Sequence, residues 1–62
     1  MVKTYHFTVT VKDPEGKITQ ELNQVSEKDT PFGAALALGK VVSFYDSLKE
    51  KKKIRDYRIL EE

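Results

Sequence analysis

From Lys3 to Lys12 apolar and polar side chains alternate, with Tyr5, Phe7, Val9 and Val11 on one parity and Thr4, His6, Thr8 and Thr10 on the other. A two-residue period puts each set on its own face of an extended chain, so the segment predicts a half-buried strand over about residues 2–12. Asp13-Pro14-Glu15-Gly16 follows. It combines an aspartate able to bond the turn backbone, a proline with φ already set and a glycine able to take positive φ, and it predicts a hairpin turn. The return strand reads from about residue 17 to 26, with Ile18 and Leu22 on the inward parity and Gln20 between them. Val25 falls out of step with that set and predicts a bulge near Asn23-Gln24. An inward glutamine suits a strand at the sheet edge rather than the centre.

Asp29 or Thr30 then offers an N-cap, with Pro31 at the first helical position. The helix is expected over about residues 31–51. Projected at 100° per residue, Ala34, Ala37, Leu38, Val41, Phe44, Tyr45 and Leu48 form one broad apolar stripe for the sheet. Lys51-Lys52-Lys53 closes the helix without a glycine or proline stop. Over about residues 55–61, Tyr57 and Ile59 alternate with Asp56, Arg58 and Leu60 as a third strand.

The expected architecture is α+β: a single ββαβ domain over residues 1–62. Its three-stranded antiparallel sheet has the order 2-1-3, with one helix packed on one face and a right-handed crossover. No internal repeat or proline- and glycine-rich linker points to a second module.

Composition narrows the picture. A chain of 62 residues is near the lower limit for a self-sufficient core, and with no cysteine it has no disulfide, thiolate nucleophile or cysteine-held zinc to help. Lack of cysteine fits a reducing compartment, and the expected location is cytoplasmic. Met1 to His6 leads straight into the first strand pattern without the apolar core of a secretory signal. The longest near-apolar run, Pro31 to Leu38, is about one third of a membrane span, so no membrane association is expected. Eleven basic against ten acidic residues leave a net charge of +1, too small for a global field toward nucleic acid or anionic lipid.

Candidate chemistry is sparse. His6 is the only histidine and falls on the threonine face, so no metal site or histidine-based nucleophile system can be assembled, and no cofactor is expected. Glu27-Asp29 and Glu61-Glu62 read as surface charge. Gly33 to Gly39 lies inside the helix and not in a phosphate-cradling loop. The expectation is a protein that is not an enzyme.

Two clusters remain. Lys49, Lys51, Lys52, Lys53, Arg55 and Arg58 put six of the eleven positive charges into ten residues. They read either as helix-end chemistry, complementing the macrodipole and keeping a connection solvated, or as a contact for phosphates or an acidic protein. The open sheet face carries threonines where a single-strand binder presents stacking aromatics. On the helix face away from the sheet, Phe32, Leu36, Gly39 and Ser43 align at spacings of four, three and four. That stripe is either an interaction surface or the sum of a hydrophobic staple at Phe32 and one exposed leucine.

In general build the chain resembles the short accessory proteins of phages and mobile elements, some of which act by occupying a host protein's surface. The reading that follows is a protein-interaction module that self-associates as a homodimer and binds a further, unidentified protein. Phe32, Leu36, Gly39 and Ser43 form one contact, and the basic segment forms another. The alternative is a nucleic-acid binder using residues 49–58 on phosphates.

Overall fold

The computed structural model describes residues 1–61. Glu62 and the side chain of Glu61, expected to be surface charge, lie outside the described residues. Strand β1 (Val2–Lys12), strand β2 (Ile18–Lys28), helix α1 (Pro31–Glu50) and strand β3 (Asp56–Glu61) follow one another along the chain. The sheet is antiparallel with the order β2-β1-β3, as the pattern predicts. Because β2 and β3 both run against β1, they are parallel to each other, and α1 carries the chain across between them.

The core forms where the alternation is cleanest. Tyr5, Phe7, Val9 and Val11 from β1 are buried against Ala37, Val41 and Tyr45 of α1. Val25, Ala34, Leu48, Ile54, Tyr57 and Ile59 pack around them. Tyr5 also ties down the start of the helix, its hydroxyl donating to the Lys28 carbonyl at 2.8 Å. Thr30 is the N-cap: its Oγ1 accepts from the Gly33 amide at 2.9 Å, with Pro31 next in line.

The far end of the helix stops by backbone geometry alone. Lys52 takes the left-handed conformation at φ 61°. The Lys53 amide reaches the Leu48 carbonyl and the Lys52 amide the Lys49 carbonyl, the paired bonds of a Schellman motif with lysine in the place glycine usually holds.

Three expectations need correction. β2 has no bulge: its register with β1 is continuous from Val2 opposite Lys28 to Lys12 opposite Ile18. Its faces are also the reverse of those expected. Thr19, Glu21, Asn23, Val25 and Glu27 point under the helix, while Ile18, Gln20 and Leu22 share the open face with Lys12, Thr10 and Thr8. The cause is turn length, for the loop spans Asp13 to Lys17. Asp13 closes it by donating its amide to the Lys17 carbonyl and accepting from the Glu15 and Lys17 amides on Oδ1. Gly16 supplies the positive φ. One residue more in the loop flips every side chain of the following strand.

The third correction concerns the helix stripe. Phe44 is 57% exposed and Leu38 37%, and neither joins the core. Gly33 is buried instead, at the head of the row Gly33, Ala37, Val41, Tyr45. Successive steps of four residues keep these side chains nearly in line, so the buried stripe is narrower than the sequence projection suggests.

Candidate interaction surfaces

α1 covers one face of the sheet and its two flanks differ. On the β2 side Lys40 forms an ion pair with Glu27, which fixes the orientation of that flank. Leu36 and Phe44 stand one turn to either side of Lys40 and share it. Leu36 is 42% exposed, and Phe44 lays its ring edge against Tyr45 at a centroid distance of 5.1 Å. Farther out, Phe32 is 72% exposed, and Gly39 and Ser43 are exposed beside it. The four residues singled out in the sequence therefore do lie on the outward part of the helix. Phe44, assigned from sequence to the core, extends that surface toward the edge of the sheet.

Under this flank sits a polar arrangement that the reversed strand makes possible. The Tyr45 hydroxyl donates to Glu21 Oε1 at 2.6 Å and accepts from Asn23 Nδ2 at 2.7 Å, so the polar residues of β2 satisfy a buried phenol. Burial, and then the bond to Glu21, push the Tyr45 phenol above its usual range, with Asn23 acting in the opposite direction. The ion pair with Lys40 holds the Glu27 carboxyl below its ordinary value, the hydrogen bond being the main cause.

On the other flank the Tyr57 hydroxyl donates to Asp46 at 2.5 Å, and its ring stacks on Tyr45 at 5.6 Å. Donation to a carboxylate favours the neutral phenol, and Tyr57 is pushed up to about 12.

The uncovered sheet face carries His6, Thr8 and Thr10 in the middle, with Ile18, Leu22 and Leu60 exposed on both sides. Leu22 is the most open of these at 80%. An open depression of about 430 Å³ is lined by His6, Phe7, Leu22, Asn23 and Gln24. Among the described residues no group of three His, Cys, Asp or Glu side chains could hold a metal ion. Among the described residues no helix is long and apolar enough to cross a membrane.

The basic segment does not form one patch. Lys49 reaches Asp56 at 3.4 Å, and Asp56 is held below its usual range first by the Tyr57 amide and then by Lys49. Arg55 is tied to the hairpin, its amide on the Lys12 carbonyl and its guanidinium on the Pro14 carbonyl, both at 2.7 Å. Arg58 stands opposite Thr10 on the open face. Lys51, Lys52 and Lys53 project from the exposed turn after the helix.

Leu22, Ile18, Phe44 and Leu38 are apolar residues that sequence reasoning placed inward and the structure leaves exposed. The signal that would have found the two on β2 was the count of residues between the strands. Comparison with protein-family models, with curated proteins and with solved structures finds no match to this chain.

Proposed function

We propose that this protein is a non-enzymatic interaction module that self-associates and acts by occupying a partner's surface. The observation that carries the reading is the apolar flank of α1, where Phe32, Leu36 and Phe44 stand open beside the small residues Gly39 and Ser43. Exposed apolar side chains grouped in this way gain from being covered, whereas the same residues scattered singly need no explanation.

The shape of the chain supports the same reading. Its accessible surface is 4698 Å². A compact monomer of 7.1 kDa is expected to expose roughly 4,100 Å². The radius of gyration is 12.5 Å, against about 10.6 Å for a compact chain of this length. The surplus is of the order of the ~800 Å² per partner that a standard interface buries.

Leu36→Glu tests the helix contact, because it places a charge in the centre of the flank without touching the core. We expect light scattering to show an associated wild type and a folded, monomeric variant. An associated wild type whose mass Leu36→Glu leaves unchanged would eliminate this contact.

A second reading has one observation in its favour, the three exposed lysines at 51–53 beside Arg55 and Arg58. It predicts binding to labelled nucleic acid that weakens steeply as salt rises, with a slope set by the phosphates contacted. Our reading predicts no salt-dependent binding in that assay.

A further inference from the structure

We infer that the partner in self-association is a second copy joined strand to strand along the outer edge of β2, making one continuous six-stranded sheet with both helices on the same side. The inference rests on the interaction-module reading above and specifies its interface.

The hydrogen-bond phase of the sheet identifies the edge. The Asp13 amide bonds the Lys17 carbonyl, so odd-numbered residues of β1 exchange hydrogen bonds with β2; the Lys12 carbonyl accepts from Arg55, so the even-numbered ones face β3. Opposed residues of β1 and β2 are numbered to sum to 30, so β2 turns its odd residues toward β1. Its even residues, Ile18, Gln20, Leu22, Gln24 and Ser26, aim their amides and carbonyls outward. This edge runs eleven residues without proline, glycine or bulge, and its outward-turned residues from Ile18 to Ser26 carry no charge. Folded proteins normally blunt such an edge with those devices. The inward charges on β2 do not blunt it, for Glu21 is held by Tyr45 and Glu27 by Lys40.

Charge and the covering of Leu22 together select the register. Two copies related by a two-fold axis through the sheet must pair residues of like face, so the axis passes through a single residue. An axis at Glu21 sets that carboxylate against itself, and one at Gln24 sets Glu21 against Glu27; like charges directly opposed are unfavourable. An axis at Leu22 sets Leu22 against Leu22 and Lys17 against Glu27, while an axis at Asn23 sets Leu22 against Gln24. The Leu22 axis covers the most exposed leucine and joins opposite charges, so the inference adopts it.

The helices complete the fit. With α1 lying over β1 and β2 and strands about 4.8 Å apart, the two helix axes stand roughly 10–14 Å from each other. That is slightly wider than ordinary helix packing at 8–10 Å, and Leu36 and Phe44 of both copies face the gap. The edge and the apolar flank are thus buried by one event.

The chain has no cysteine, so single-cysteine variants report the register directly. Light scattering of the wild type is expected to give about twice 7.1 kDa. Leu22→Cys is expected to give a covalent dimer on mild oxidation, and Gln20→Cys, which the Leu22 axis sets against Gln24, is not. Gln24→Pro removes an outward amide and spares the ladder to β1; we expect a folded monomer, and if this variant does not fold the cysteine pair decides. If Leu36→Glu separates the copies while Leu22→Cys fails to cross-link, the helix contact stands and the β2 pairing is overturned. A wild type that is monomeric at every concentration overturns both.

Discussion

The two glycines of α1 occupy opposite situations, and single substitutions separate them. A Cβ built on Gly33 falls 2.0 Å from the Lys28 carbonyl oxygen, a backbone atom that cannot withdraw without moving the end of β2. Gly33→Ala is expected to cost about 1–3 kcal/mol in urea unfolding, the range for forcing atoms into a packed site. Gly39 has nothing within 4 Å of the same position. Gly39→Ala is therefore expected to stabilise by about 0.5–1 kcal/mol, the helix-interior difference between the two residues. Equal effects at the two sites would contradict the burial of the helix start.

Tyr57 makes a pH-dependent contribution whose sign follows from its partner. Its phenol is raised from 10.0 to about 12, chiefly by donating to Asp46, so the fold favours the protonated form. The stabilisation is fully present below pH 10 and is lost as the pH climbs from about 10 through about 12. Thermal midpoints measured across that window should fall less steeply in Tyr57→Phe than in the wild type. Parallel curves would show that the bond to Asp46 does not matter in solution.

At the scale of elements, the parts legible in the sequence were those specified by their own residues. The alternation of β1, an N-cap at Asp29 or Thr30 followed by Pro31, and the pairing of Tyr57 with Ile59 on one side of β3 each depend on local pattern, and each is found, with Thr30 as the cap. The faces of β2 were not legible because they depend on a count outside the strand. A loop closing at Lys17 instead of Gly16 decides whether Leu22 or Glu21 meets the helix. The sequence of β2 has no strong apolar period to overrule that count. Phe44 was misread for a related reason: its angle on the helix suits the core, but the buried row is narrow and leaves Phe44 57% exposed. The end of α1 carries a local strain. Lysine at φ 61° costs about 1 kcal/mol where glycine costs nothing, so Lys52→Gly is expected to raise the unfolding midpoint by about that amount without changing the fold. A midpoint lowered by this substitution would mean that the Lys52 side chain has a role the backbone does not reveal.

Considered as a whole, the molecule spreads a small core over a wide sheet. Among the described residues seven hydrophobic ones are buried, and the Cα extents are 42 × 19 × 12 Å. A chain built this way is marginal alone and gains when a second surface covers it. Its melting temperature should accordingly rise with protein concentration, since association stabilises the folded state by mass action. Scanning calorimetry over a hundredfold range would show this, and a constant midpoint would mean that the monomer carries all of its own stability.

The phase of the ladder along β2 also sets how fast its amides trade protons with water. Residues 19, 21, 23, 25 and 27 hold their amides against β1, while 18, 20, 22, 24 and 26 turn theirs outward. In an isolated chain deuterium should enter β2 as a comb, every second position slow and every second one fast. The teeth at 18, 20, 22, 24 and 26 are the ones a second strand would close, so one exchange experiment reads the occupancy of this edge residue by residue.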